Sequence, residues 1–168
     1  MTYVAPGQTN SLDLFVLPVT SNPKPILYLD SQFQERGHRL SPDGKWMLYQ
    51  SDETGGQEVY VQTFPRSEKR WKISSDGGMH PMWRRDGREL FFLRLDGALM
   101  AADVATAPAF NPGIPRVLFQ TDLGGGERLR FGYAPARDGQ RFLLNVPIEK
   151  PESAIVVVLN WSGASGVR

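Results

Sequence analysis

The sequence predicts an all-β fold assembled from repeated four-stranded antiparallel units. Three observations carry that expectation. An Asp-Gly motif recurs with the same apolar run behind it, short aromatic-rich strand patterns alternate with turn residues, and no window sustains helical periodicity with caps.

The repeat comes first. Leu40-Ser41-Pro42-Asp43-Gly44-Lys45-Trp46-Met47-Leu48-Tyr49 aligns without gaps to Trp83-Arg84-Arg85-Asp86-Gly87-Arg88-Glu89-Leu90-Phe91-Phe92. Both align to Pro135-Ala136-Arg137-Asp138-Gly139-Gln140-Arg141-Phe142-Leu143-Leu144. Asp-Gly suits a tight hairpin, because Gly accepts positive φ and Asp tolerates it while bonding nearby backbone. The apolar run behind it reads as a strand buried on both faces. The motif returns after 43 residues (Asp43 to Asp86) and after 52 (Asp86 to Asp138). A propeller blade takes about 40–50 residues, so the expected architecture is a β-propeller of about three to four four-stranded blades forming an incomplete ring. The longer second interval holds Pro108, Pro112 and Pro115 and the run Gly124-Gly125-Gly126.

Each unit offers further strands. Glu58 to Thr63, Leu99 to Val104 and Ile155 to Leu159 follow turn residues, and Trp71 to Ile73 and Val117 to Phe119 read as short outer strands. Leu12 to Leu17, Ile26 to Leu29 and Tyr3 to Ala5 fit a first blade that lacks its opening strand. The expected organisation is a single partial propeller domain over 1–168, with units 1–36 (incomplete), 37–78, 79–122 and 123–168.

Composition narrows the class. With 17 Gly, 13 Pro and 11% aromatic residues, the chain favours short strands between turns. Nineteen basic and 18 acidic residues leave a net charge of +1, which gives no electrostatic case for nucleic acid or an anionic membrane. No cysteine is present, so neither a disulfide framework nor a thiolate metal site is expected. The first residues carry no basic and apolar regions of a signal peptide. The longest apolar run, Ala154 to Leu159, is far too short to span a bilayer, so a soluble chain without membrane insertion is expected.

Ser41-Pro42-Asp43-Gly44-Lys45 followed by an apolar strand resembles the repeat of TolB-like β-propellers of bacteria, and the wider pattern resembles a C-terminal propeller region. The resemblance extends over nearly the whole chain; Arg84-Arg85 and Ala136-Arg137 depart from Ser-Pro in the later copies. It implies a rigid ring whose loops bind something, with a periplasmic location open to the parent protein. It says nothing of chemistry, because fold alone does not give function.

The turn carboxylates Asp43, Asp86 and Asp138 occupy one fixed place per repeat and read as structural hydrogen-bond acceptors. Gly163-Ala164-Ser165-Gly166 is not G-x-S-x-G, and Gly124-Gly125-Gly126 lacks the Gly-Lys-Ser/Thr of a phosphate loop. No catalytic residue, metal or cofactor is expected. Arg84, Arg85 and Arg88 read as a salt-bridged surface. The two histidines, His38 and His80, fall just before the innermost strands, and Arg36 and Arg130 lie in matching connections. These four form a candidate mildly basic channel rim for an anionic group or a peptide carboxylate, against the plainer reading of solvated loop polars.

The leading functional expectation is a non-catalytic interaction module with a protein or peptide partner. Alternatives are the extracytoplasmic sensor portion of a bacterial serine/threonine kinase-like protein, and the gating propeller of a peptidase. An open arc exposes two apolar blade faces, which missing blades or a homodimer that closes the ring would cover.

Overall fold

The computed structural model describes residues 2–6, 12–65, 69–123, 132–146 and 156–159, with side chains for 14–65, 69–123 and 132–146. Among these, the regular elements are fifteen strands and no helix. They form four sheets of consecutive strands. The first is β1 (Thr2–Pro6), β2 (Leu12–Val16) and β3 (Ile26–Leu29). The second is β4 (Arg36–Leu40), β5 (Trp46–Ser51), β6 (Glu58–Thr63) and β7 (Arg70–Lys72). The third is β8 (Met79–Trp83), β9 (Glu89–Leu93) and β10 (Ala98–Ala105), with β11 (Asn111–Pro112) and β12 (Arg116–Gln120) both pairing with β10. The fourth is β13 (Tyr133–Pro135), β14 (Arg141–Leu144) and β15 (Val156–Leu159). The expected strands lie at these places to within a residue or two. Sequence reading missed the opening strands β4, β8 and β13, and also β11. The Asn-Pro pair of β11 has no strand pattern, and it forms because β10 runs eight residues and offers Val104 and Ala105 for pairing.

The hairpins show what the repeated motif does. The amide N–H of Gly44, Gly87, Gly97 and Gly139 donates to the carbonyl three residues earlier, on Ser41, Arg84, Arg94 and Ala136. Each of these glycines is left-handed, with φ of 72°, 72°, 89° and 69°. The Asp before each Gly accepts from the N–H two residues on: Lys45 to Asp43 (3.2 Å), Arg88 to Asp86 (3.1 Å), Ala98 to Asp96 (3.0 Å) and Gln140 to Asp138 (2.9 Å). These carboxylates are structural acceptors. The left-handed backbone of these turns falls on the glycines; among the described residues His80, at φ 53°, is the non-glycine residue with that backbone.

The chain divides into two compact units, Met1–Pro81 and Met82–Arg168, with the boundary inside β8. In the first, Leu14, Tyr28 and Leu29 of the first sheet pack with Met47, Tyr49 and Tyr60 of the second. Tyr49 and Tyr60 stack with centroids 5.7 Å apart, and the Tyr28 hydroxyl donates to the Thr63 carbonyl at 2.8 Å. Every residue of β5 is buried, so the run behind Asp43-Gly44 is covered on both faces as expected.

In the second unit β9 is likewise buried throughout. Phe142 of the fourth sheet meets Phe91 of the third edge-on, with centroids at 5.0 Å and rings at 88°, and Phe119 at 5.7 Å. Edge-to-face contact sets the positive ring edge against the negative face. β14 departs from the expected continuous burial. It alternates, with Phe142 and Leu144 buried and Leu143 exposed.

Candidate functional site

Three of the four rim residues lie in the first unit. Arg36 and His38 are not in a loop before the inner strand, as the sequence suggests; they are in β4 itself, and His80 is the second residue of β8. The reason is a bulge. Arg36 pairs with Gln50 and Arg39 with Leu48, so Gly37 and His38 together face one residue of β5. The irregular step hides the strand from a pattern search. Arg130 lies outside the described residues, as do the run 124–126 and the tail 160–168.

Gln50 of β5 organises this corner. Its side chain is 6% exposed; Nε2 donates to Gln57 Oε1 at 2.9 Å, and Oε1 accepts the backbone N–H of His80 at 2.8 Å. A Cβ at Gly37 would stand 3.0 Å from Gln50 Oε1 and 3.2 Å from Pro81 Cδ. Left-handed Gly37 therefore lets β4 and the start of β8 come together over Gln50. Arg36 and Arg39 are exposed, with Arg36 Nη2 donating to Gln34 Oε1 (3.2 Å) and Arg39 Nη1 to the His38 carbonyl (2.9 Å). His38 and His80 are half-buried. Burial first, then the cation of Arg39, holds the His80 imidazole below its ordinary value, so it is neutral at pH 7. A left-handed backbone at a non-glycine residue costs roughly 1–3 kcal/mol.

A buried acid neighbours this corner in sequence. Glu35 is 3% exposed; its Oε1 accepts from Ser31 Oγ at 2.5 Å, while Oε2 has no hydrogen-bond partner among the described residues. Burial raises its pKa against the Ser31 hydrogen bond, with Asp52 and Glu53 adding repulsion. Sequence reasoning missed Arg39, Gln50 and Glu35. A closer alignment of the repeats would have found the corner: 43 residues separate Gly37 from His80, so His80 matches Gly37 and not His38.

In the second unit Arg84, Arg94, Arg116 and Arg141 are ion-paired. Arg84 donates to both carboxylate oxygens of Asp86 (2.7 and 2.8 Å) and to Glu89 Oε2 (2.9 Å), and Arg116 reaches Glu89 Oε1 at 2.6 Å. Among the described residues no group of three or more His, Cys, Asp or Glu could hold a metal ion, and no helix is long and apolar enough to cross a membrane.

No protein-family model matches this chain, and no curated protein matches it. Solved structures do. An oligogalacturonate lyase from Vibrio parahaemolyticus aligns with a TM-score of 0.51 at 15% identity, covering 86% of this chain and 35% of that one. A protein named as a 6-phosphogluconolactonase from Bacteroides uniformis aligns with a TM-score of 0.51 at 16% identity, covering 80% and 40%. The fold is that of a β-propeller. TolB from Acinetobacter baumannii aligns over 95% of this chain and 50% of that one at 16% identity, with a TM-score of 0.44. The chain spans between about a third and a half of the length of these structures.

One expectation is overturned. The chain was expected to catalyse nothing, but proteins with this fold are named as enzymes. The physical reason is that blades are scaffolds, and chemistry on a scaffold is decided by the loops grafted onto it. The structural role of the turn carboxylates therefore gives no ground for excluding activity.

Proposed function

We propose that this chain is the ligand-binding segment of a longer TolB-like propeller, and that its basic corner receives an anionic group on a protein or peptide partner. The observation that supports the reading is the junction at Gln50, which sets β4, with Arg36, His38 and Arg39, beside His80. In a propeller the first strand of each blade lies toward the central channel, where ligands enter. Two arginines can clamp a carboxylate or phosphate through paired N–H donors. A longer parent chain, or a second copy, would cover exposed residues such as Leu143 of the last sheet.

Binding of a fluorescent peptide pool with free C-terminal carboxylates, compared with the same pool amidated, tests the reading. The carboxylate pool should bind at least tenfold more tightly, and Arg36→Ala/Arg39→Ala should remove that preference while leaving the circular dichroism unchanged. Equal binding of both pools, or none by either, would overturn it.

A further inference from the structure

His80 occupies a place in the repeat where the previous blade uses glycine. β4 and β8 begin 43 residues apart, at Arg36 and Met79, so Gly37 and His80 are equivalent second residues. Both are left-handed, with φ of 63° and 53°. Glycine adopts that backbone without strain, whereas an L side chain there crowds its own main chain. The position is restricted twice over, because Pro81 follows and a residue before proline is pushed toward extended conformations. Packing does not require the imidazole for the turn. The anchor is the backbone N–H, which Gln50 Oε1 accepts, and any residue other than proline supplies that donor.

The side chain therefore has a reason other than the backbone. It is half-buried, it lies within the field of Arg39, and among the described residues its ring makes no hydrogen bond or ion pair. Strained residues persist where the surroundings over-determine them, and they gather at binding and catalytic sites.

We infer that His80 is a ligand-binding residue, held left-handed by the Gln50 contact so that its imidazole and the Arg39 guanidinium together engage an anionic oxygen. This rests on the basic corner proposed above and deepens it, since His80 becomes the group that directs the bound oxygen. Phosphate and carboxylate share the required chemistry: full or partial negative charge on oxygens that accept from a nitrogen donor.

The test uses the whole chain, with inorganic phosphate and acetate as probes and the His80 ring resonances as the readout, assigned by comparison with His80→Gly. Titration with either anion should shift the His80 ring signals in a saturable manner, and Arg39→Ala should weaken the apparent affinity at least fivefold. His80→Gly should bind the carboxylate peptide pool at least tenfold more weakly while melting at the same temperature or a few degrees higher. Phosphate alone shifting the ring would identify a phosphate site; acetate alone, a carboxylate site. Peptide binding with silent His80 signals would overturn the role of His80 and leave the basic corner standing. Saturable ring shifts without peptide binding would support His80 and overturn the peptide reading. A His80→Gly variant that binds as tightly as the parent, or that melts well below it, would refute the inference, the latter by making the imidazole structural.

Discussion

The hairpins after β4 and after β8 build one turn by two chemistries. In both, the glycine N–H reaches the carbonyl three residues back, at 2.9 Å, and an Asp carboxylate accepts from the N–H two residues on. They differ at the first position. Ser41 Oγ donates to Asp43 Oδ1 at 2.5 Å and accepts from the N–H groups of Lys45 (3.2 Å) and Trp46 (3.0 Å), so its reach ends inside the turn. Arg84 grips Asp86 with two bonds and continues to the buried Glu89. Its side chain also lies against the next hairpin: a Cβ at Gly139 would meet Arg84 Cδ at 2.6 Å and Phe91 Cζ at 3.2 Å. The turn backbone is thus set by Asp-Gly, and the first position is free to serve packing with a neighbouring sheet.

The largest expected effect comes from giving the second turn the first turn's chemistry. Arg84→Ser should cost about 2–3 kcal/mol, because it strips one of two cations from Glu89, whose side chain is 3% exposed. Urea denaturation measures it, and a cost below about 0.5 kcal/mol would mean the first position is interchangeable.

Next in size is a glycine contrast. Gly139→Ala should cost about 2 kcal/mol, combining the left-handed backbone with the contact against Arg84, which cannot withdraw without loosening its ion pairs. Gly44→Ala carries only the backbone cost of about 1 kcal/mol, since nothing lies within 4 Å of a Cβ there. Equal melting temperatures for the two variants would show that the neighbouring hairpin does not use the space.

The smallest effect is on acid sensitivity. The hydrogen bonds of Arg84 hold the Asp86 carboxyl down to about 2, against an ordinary value of 3.8. At Asp43 partial burial opposes ionisation, but the Ser41 hydroxyl and the Lys45 N–H outweigh it, and the carboxyl is lowered. A carboxylate depressed in the folded state stabilises above its unfolded pKa and loses that contribution as pH falls through the folded value. Asp86→Asn should therefore flatten the stability profile between about pH 4 and pH 2. Asp43→Asn should change the same limb less. A steeper limb in Asp86→Asn than in the parent would reverse the sign and sink the account.

The strand framework was legible because its signals are local. Asp-Gly at a fixed spacing places the hairpins, and the runs behind it, such as Trp46 to Tyr49, carry no polar residue that an exposed face would need. The basic corner was half legible. His38 and His80 stood out as the two histidines, yet they lie 42 residues apart, one short of the 43-residue repeat that matches His80 to Gly37, and the bulge at Gly37 and His38 hid β4 from a strand pattern. Gln50 gave no signal at all; it sits at the end of an apolar run like any solvated glutamine, and becomes the pivot only when β8 arrives beside it.

By itself, then, the sequence determined the all-β class, the blade repeat and the places of the turns, since these depend on neighbours a few residues apart along the chain. Only the tertiary structure decided which face of β14 is covered, that Arg84 serves the hairpin at Gly139, and that His80 is held left-handed over Gln50. Those outcomes depend on residues 30 or more positions apart meeting in space, and no local pattern records such meetings.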